Sequence, residues 1–307
     1  LFCFLLSPHY PPMKLFYRLL LISLVSTSIV ACGNSSDTET DNTSLNENEN
    51  VSTNSVVHKL EFPHLKKGNN IVLVHTTSQY GINYSVEWDC TKKAQRWTAY
   101  EMYNSNTVTN WNRKNWVDTE WKGDPFQEDS SLPVAYRTTL AMYRGSGYDR
   151  GHMCPSADRL QNQEMNEQTF YLSNMHPQKY NFNAGIWEKM EEQVRTWNRS
   201  SFRDTLYVVK GGTIDNSNQV LGNTSSGLII PRYFFMAILC KNSTGYKALA
   251  FWAEHLDENH SNDSLADYVI SIDKLEQLTG IDFFCNLPDY IENKIEANTY
   301  VISWGLK

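Results

Sequence analysis

Seven runs of alternating or β-rich residues constrain the fold of this chain more than any other feature. Period-two alternation of apolar and polar residues is typical of strands that bury one face. Turn residues such as Gly211-Gly212 separate several of the runs, and strands joined by short turns pair antiparallel. The sequence therefore predicts an antiparallel sheet, with strands at residues 70–76, 84–88, 97–103, 169–173, 206–209, 233–239 and 248–252.

Helical signals occur in three places. Apolar residues recur at helical spacing from Ile186 to Trp197, and Asn183 can serve as the N-cap. Ser271 opens a second helix that Gly280 closes, and Leu287-Pro288 starts a third. Without an internal repeat, the roughly 250 residues of 58–307 suit one large α+β domain in which helices cover the sheet.

The segment Asp149-Arg150-Gly151-His152 carries the first chemical signal. On an extended chain, residues two apart point to the same face, so the guanidinium of Arg150 and the imidazole of His152 lie side by side. An imidazole can take a proton from water, and a guanidinium can stabilise developing negative charge. This pair suits phosphodiester chemistry, but a histidine with arginine neighbours is more often only a surface or loop feature, so the segment alone leaves both interpretations open.

Two further segments follow at fixed spacing, Ser173-Asn174 with Pro177-Gln178, and then Asn183, Gly185, Trp187 and Glu191. Together with residues 149–155, they resemble the DNA/RNA non-specific endonuclease family in order and spacing. The resemblance extends more weakly from about Trp97 to Pro288. It implies that residues 58–307 form a ββα-metal nuclease core on a central antiparallel sheet flanked by helices.

The resemblance also implies a role for each matching residue. His152 is the expected general base, and Asn183 the single protein ligand of the metal. Glu191, a little over two helical turns later, is expected to hold metal-bound waters. Asn174 and Arg150 are expected to fix and support the active site.

Two arginines are candidates for substrate binding. Arg113 matches a family arginine near the scissile phosphate, although its spacing to His152 differs from that in the relatives. Arg195 lies one helical turn after Glu191, where it could pair with that carboxylate or face the substrate.

The implied reaction is in-line hydrolysis of DNA and RNA with 5′-phosphate products. The expected cofactor is Mg²⁺, with Mn²⁺ as a substitute, because Mg²⁺ tolerates few protein ligands. An inactive nucleic-acid-binding surface lipoprotein is the alternative, and it predicts damage to His152 or Asn183, which are both intact. A structural or adhesion lipoprotein also stays open. Motifs of serine esterases, zincins and P-loop NTPases do not occur.

Residues 1–32 are predicted to be an N-terminal extension and a lipoprotein-type signal. Lys14 and Arg18 precede an apolar run that ends at Ala31-Cys32, and Cys32 is the predicted lipidated residue. A transmembrane helix at 15–31 is the alternative. This predicts an exported protein of the bacterial cell envelope, periplasmic or surface-facing, anchored to the membrane by lipid. A homodimer is left open.

Residues 33–57 are Asn, Ser, Thr, Asp and Glu with few apolar side chains, so we expect a disordered tether. The chain has a formal net charge of −7; without the two basic residues of the leader and the five acidic residues of the tether, residues 58–307 carry −4. An acidic domain binds polyanions poorly, so its basic side chains must be concentrated in one cleft.

Four cysteines fall in the predicted domain, and none has the CxxC spacing of a zinc cluster. In an oxidising compartment they can form two disulfides, for which Cys90 with Cys154 and Cys240 with Cys285 is the favoured pairing. Unpaired buried thiols are the alternative.

Overall fold

The computed structural model describes residues 46–112 and 124–306, which lie within one compact unit. The predicted signal with Cys32, the tether up to residue 45, and Arg113 fall outside the described residues. Among the described residues, no helix is long and apolar enough to cross a membrane.

Seven strands form the central sheet in the order β1-β2-β3-β6-β9-β10-β11, and each neighbouring pair is antiparallel. Two smaller sheets pair β4 with β5 and β7 with β8. The strands are β1 (Asn70–Thr77), β2 (Gly81–Asp89), β3 (Ala94–Met102), β4 (Asp149–His152), β5 (Met175–Gln178), β6 (Thr205–Gly212), β7 (Val220–Asn223), β8 (Ile229–Pro231), β9 (Tyr233–Asn242), β10 (Gly245–Glu254) and β11 (Val269–Ile270).

Helices lie on both faces of the central sheet. The α-helices are α1 (Leu140–Tyr143), α2 (Gln163–Gln168), α3 (Glu188–Trp197), α4 (Ile272–Thr279) and α5 (Asp289–Glu296), and a π-helical segment (Phe182–Trp187) leads into α3. Short 3-10 helices are Ser55–His58, Asn104–Asn106, Val134–Tyr136, Ser156–Asp158, Leu172–Asn174, Ser217–Gln219, Leu265–Tyr268 and Val301–Trp304.

The sheet buries both of its faces, as the alternation along β9 shows. Phe234 and Met236 point into a first core, which α3 covers. Phe235 and Ala237 point into a second core, which α4 and α5 cover. Burial of each large apolar side chain contributes about 1.5–3 kcal/mol, so the two cores hold the sheet and helices together.

The predicted α+β fold with a central antiparallel sheet is confirmed. Six of the predicted strands occur in it, but the strand predicted at 169–173 is wrong. The N–H groups of Thr169, Phe170 and Tyr171 bond back to residues 166–168, which makes turns after α2. The aromatic residues of this segment have a high strand propensity, but its backbone N–H groups are used in local turn hydrogen bonds instead.

The predicted helix ends near the C-terminus of the domain are confirmed. Ser271 accepts a hydrogen bond from the backbone N–H of Lys274, and Gly280 ends α4 at φ +67°. A position in the left-handed backbone conformation directly after a helix strongly favours glycine. Pro288 precedes α5, as predicted.

All four cysteines of the described chain are buried free thiols, so the predicted disulfides are wrong and the alternative of unpaired thiols is correct. The Cys240 side chain lies in the first core. Cys285 instead donates to the carbonyl of Phe62, a residue of the second core, so the sheet separates it from Cys240. Burial raises the pKa of Cys154 to about 12, which keeps this thiol protonated.

Residues 46–57 differ from the predicted tether because they are fastened to the body. The Asn46 side chain donates to the carbonyls of Cys285 and Leu287 at 2.8 and 2.7 Å. Asn50 is 2% exposed, donates to the carbonyls of Val57 and Pro63, and accepts from another backbone N–H. Low hydrophobicity predicts disorder only where polar side chains lack such partners, and here amide groups replace apolar burial.

We predict that Asn50→Ala lowers the free energy of unfolding by about 2–3 kcal/mol, because it leaves buried backbone groups unpaired. Denaturant unfolding of the full chain measures the change. Thr53→Ala, at an exposed position nearby, is the control. Equal unfolding midpoints for the two variants would show that this segment contributes nothing to the body.

Candidate active site

A ββα unit sits on the first-core side of the sheet. Strands β4 and β5 pair antiparallel, with His152 opposite Met175, and the π-helical segment and α3 follow β5. Gly151 lies opposite His176, and a Cβ at Gly151 would meet the side chain of Gln178 at 2.0 Å. Glycine is therefore required between the two functional residues of β4, Arg150 and His152.

His152 is held at the end of β4 by aromatic residues. Its carbonyl accepts a hydrogen bond from Nε1 of Trp187 at 3.2 Å, which ties the strand to the helical segment. Its imidazole packs edge-on against Phe170, with ring centroids 5.1 Å apart, and tilted against Phe126 at 5.6 Å. This packing fixes the direction of the ring.

Asn174 secures the chain immediately after His152. Its Nδ2 donates to the carbonyl of Cys154 and its Oδ1 accepts from the Cys154 N–H, both at 2.8 Å. A third bond goes to the carbonyl of Thr169. Asn174 is fully buried and lies outside the cavity lining described below, so it positions the site through the backbone.

Asn183 lies inside the π-helical segment, so its prediction as the N-cap of the helix is wrong. Its N–H donates to the carbonyl of Lys179 at 2.8 Å, and Gly185 departs from helical geometry at φ −117° and ψ −109°. Nδ2 of Asn183 donates to Oδ2 of Asp149 at 3.2 Å. Because the amide nitrogen of Asn183 donates to Asp149, the amide oxygen is the atom that can act as a metal ligand.

These residues meet in a cavity of about 520 Å³. Its lining includes Arg150 and His152, which both contact the ring of Phe126, and Asn183 from the helical segment. The described residues that line it are Asp124, Phe126, Leu140, Tyr143, Arg144, Tyr148, Asp149, Arg150, His152 and Asn183.

Arg150 is held from two sides. Its Nη1 lies 2.9 Å from Oδ2 of Asp124, and its guanidinium lies 3.9 Å from the ring centroid of Phe126. A planar guanidinium stacks well on an aromatic face, and this reduces the entropy lost on binding an anion.

The charges of the lining test whether a divalent cation fits the site. Two arginines, Arg144 and Arg150, face two carboxylates, Asp124 and Asp149, so the described residues of the lining show no excess of the basic groups expected from the sequence. A phosphodiester would be repelled by Asp149 unless a cation lay between them. The Asn183 amide oxygen and the Asp149 carboxylate are the hard donors that Mg²⁺ accepts, so the residues fit such an ion.

Glu191 is not part of this lining. Its Oε1 lies 3.1 Å from Nζ of Lys210, a lysine that is 0% exposed. Burial raises the pKa of Glu191 to about 7, against the opposing effect of Lys210. The metal-water role of Glu191 stays a prediction, and the contact that the structure shows is this ion pair.

Arg195 pairs with Asp158 rather than directly with Glu191. Its Nη1 lies 3.2 Å from Oδ1 of Asp158, whose other oxygen accepts from the hydroxyl of Tyr100 at 3.0 Å. Arg195 lines a second, smaller cavity of about 240 Å³. The substrate role predicted for it stays a prediction, and Arg113 lies outside the described residues.

Two residues that shape the site, Asp149 and His255, were not predicted from the sequence. Asp149 belongs to the motif, so its carboxylate beside Arg150 was a usable signal. His255 had none, because it reaches the site only through the fold. Its Nε2 accepts a hydrogen bond from the backbone N–H of Lys179 at 2.7 Å. The carbonyl of Lys179 in turn accepts from the N–H of Asn183.

Comparisons with known proteins agree with this arrangement. The model of the DNA/RNA non-specific endonuclease family matches residues 63–290. A nuclease of Nostoc sp. is 31% identical over 223 residues, covering 70% of this chain and 75% of the relative. The mitochondrial nuclease EXOG of Xenopus laevis is 28% identical over 227 residues, covering 70% of this chain; the chain spans 60% of that relative.

A solved structure shares the fold. The crystal structure of an EndoG/EndoGI complex aligns with a TM-score of 0.62 and 21% identity, covering 77% of this chain and 93% of the matched one. The predicted ββα arrangement on an antiparallel sheet is thus confirmed at the level of the fold.

We predict that the protein loses stability in mild acid through His255. Its Nδ1 donates to the carbonyl of Pro231, so protonation adds a second donor facing Lys179. Burial lowers the pKa of His255 to about 4, from 6.5. The contribution of neutral His255 to the free energy of unfolding is therefore fully present above about pH 6.5. It is lost as the pH falls through about 4, and the loss amounts to about 3 kcal/mol.

Denaturant unfolding at a series of pH values measures this loss, and His255→Gln is the test variant, since its amide can still accept from Lys179. The variant should lose less stability in acid than the parent. Some dependence should remain, because burial also lowers the pKa of His176, to about 3. An unchanged pH profile in the variant would contradict the assignment.

Proposed function

The chain belongs to the DNA/RNA non-specific endonuclease family, and from that premise we propose that it is a divalent-metal-dependent endonuclease that hydrolyses phosphodiester bonds in DNA and RNA. The observation that carries the proposal is the meeting of His152, Arg150 and Asn183 in one cavity. Arg150 and His152 come from one motif and Asn183 from another, and each supplies a different chemical need of the reaction. The alternative of an inactive nucleic-acid-binding lipoprotein has no support, because it predicts damage to His152 or Asn183 and both residues are intact.

His152 acts as the general base in this proposal. Its imidazole takes a proton from water, the oxygen of that water bonds to phosphorus, and the bond to the 3′ oxygen breaks. The phosphate then remains on the 5′ oxygen of one product, and the 3′ oxygen of the other product is protonated and leaves as a hydroxyl. The rings of Phe126 and Phe170 keep the imidazole directed, so little reorganisation is needed during the reaction.

Arg150 stabilises the negative charge that develops on the phosphoryl oxygens. Asp124 and Phe126 hold its guanidinium in place before substrate arrives. A preorganised cation stabilises a transition state better than a mobile one, because its orientation has no further cost.

Asn183 would hold the metal ion through its amide oxygen, with Asp149 orienting the amide. When bound, the ion supplies positive charge beside the phosphate and the departing oxygen. We propose Mg²⁺ as the resident ion, with Mn²⁺ as a substitute, because a site with few protein ligands suits an ion that keeps most of its waters.

The proposed substrate range follows from what these groups contact. A base, a cation and a metal ligand all address the phosphodiester, and contacts to phosphate carry no direct sequence information. Neither a 2′-hydroxyl nor a particular base is needed by this chemistry. Both DNA and RNA are therefore proposed substrates.

The lipid anchor at Cys32, the location in the cell envelope and a homodimer are proposals drawn from the sequence alone. The anchor and the location rest on the apolar run before Ala31-Cys32 and on the polar segment after it. The proposed nuclease function does not depend on them.

We predict that His152→Ala lowers the cleavage rate by about 10²–10⁴-fold, because it removes the proton acceptor while leaving the backbone contact with Trp187. Digestion of plasmid DNA and of RNA at saturating Mg²⁺ measures the rate, and thermal unfolding checks the fold. His64→Ala, which removes an exposed imidazole, should cleave like the parent. Parent-like cleavage by His152→Ala would sink the proposal.

We predict that Asn183→Ala raises the Mg²⁺ concentration for half-maximal cleavage by at least about tenfold, since it removes the proposed protein ligand. Rates are measured across a Mg²⁺ titration. Asn293→Ala changes an exposed amide on α5 and serves as the control. If both variants follow the parent titration, the metal is held elsewhere.

A further inference from the structure

A cluster of carboxylates lies between α4 and α5, remote in sequence from the nuclease motifs. Asp273 and Glu276 stand one turn apart on α4, and Glu296 is the last residue of α5. One side-chain oxygen from each can be chosen so that all three lie within 4.8 Å of one another. Like charges this close repel strongly unless something lies between them.

Glu296 supplies the independent sign that a ligand belongs there. The residue is 4% exposed, and its Oε1 makes no hydrogen bond with any part of the chain that the structure describes. A buried carboxylate oxygen without a partner is costly, and native proteins avoid it unless an ion or water takes the place. It is an oxygen of Glu296, one of the three residues that make up the carboxylate group.

Protein groups provide little compensation for the three carboxylates. Among the described residues, no ion pair joins any of them to a lysine, arginine or histidine. Glu276 accepts one backbone N–H, that of Phe283, at 2.7 Å. The available amide, Nδ2 of Asn48, is directed instead at the neighbouring carboxylates of Asp282 and Glu292.

The cluster is therefore strained when it is ionised. Burial, followed by the surrounding carboxylates, raises the pKa of Glu276 to about 8 and that of Glu296 to about 10. Without a cation, these groups must hold protons at neutral pH or tolerate their mutual repulsion. A bound cation would remove both requirements.

We propose that Asp273, Glu276 and Glu296 form a divalent-cation site for Ca²⁺ that fastens α4 to α5. Ca²⁺ binds oxygen ligands at about 2.4 Å, so two oxygens on one ion lie at most about 4.8 Å apart, as the carboxylates do. Three carboxylates that can each bind through one or two oxygens suit the six to eight ligands of Ca²⁺. They suit Mg²⁺ less well, because it usually takes one or two carboxylates and keeps its waters.

This site is structural and separate from the nuclease cavity. Ile272, Leu275 and Ile295, on the same two helices, pack into the second core. Ile186 and Trp187, which belong to the same π-helical segment as Asn183, pack into the first core on the other face of the sheet. Cation binding at the carboxylates should therefore stabilise the fold without taking part in cleavage.

The test is thermal unfolding of the full chain, dialysed against EDTA and then titrated with CaCl₂. We expect Tm to rise by about 3–6 °C at a Ca²⁺ concentration ten times Kd. In Glu296→Gln the rise should disappear, and Tm in EDTA should equal or exceed that of the parent because the amide is neutral without having to bind a proton. Calorimetric titration should show at least a tenfold loss of Ca²⁺ affinity.

Two controls separate this site from other effects of Ca²⁺. Asn183→Ala changes the nuclease cavity, and Glu188→Gln removes an exposed carboxylate of α3; both should keep the full rise in Tm. If Glu296→Gln does not fold, Asp273→Asn, at a partly exposed position, takes its place with the same expectation. No rise in the parent, an equal rise in the cluster variant, or a loss of the rise in Asn183→Ala would each overturn the proposal.

Discussion

A sheet that is apolar on both faces governs the rest of this structure. Residues of β9 alternate between the two cores, so apolar packing occupies both faces of the central sheet. The chain therefore builds the site on an added unit, the β4–β5 pair with the π-helical segment and α3. Trp187 joins that unit to the first core and at the same time bonds the carbonyl of His152. The apolar packing and the position of the base thus depend on the same side chain.

Sequence patterns predicted the parts of the fold that depend on local preference. The strand runs and the caps of α4 are visible because alternation, Ser271 and Gly280 act over a few residues. The segment at 169–173 failed because its aromatic residues satisfy a strand pattern while its N–H groups bond to the preceding turn. The prediction of a disordered tether failed around Asn50 for the opposite reason. The value of this residue lies in contacts with backbone groups that no period or composition reveals.

The same limit divides the candidate site. The spacing of Arg150 and His152 was sufficient to place them on one face, because a strand has a fixed period of two. The partner of Glu191 was not predictable, since Lys210 lies on β6 and is brought beneath α3 only by the fold. Asn174 was recognised as part of the motif, but its buried position shows that it acts on the backbone of Cys154. Motifs identify which residues matter, and the fold decides through which atoms they act.

The charge of the cavity explains how an acidic domain could process a polyanion. Arg150 already has a partner in Asp124, and the charge of Asp149 offsets that of Arg144, so the described residues of the lining carry no net formal charge with which to attract phosphate. An added divalent cation would change that balance only at the place where a phosphate must sit. Affinity would then be confined to the reacting group, with few contacts along the strand to slow release of products. In such a design the acidic surface reduces nonproductive binding, and the bound cation determines where the polymer is held.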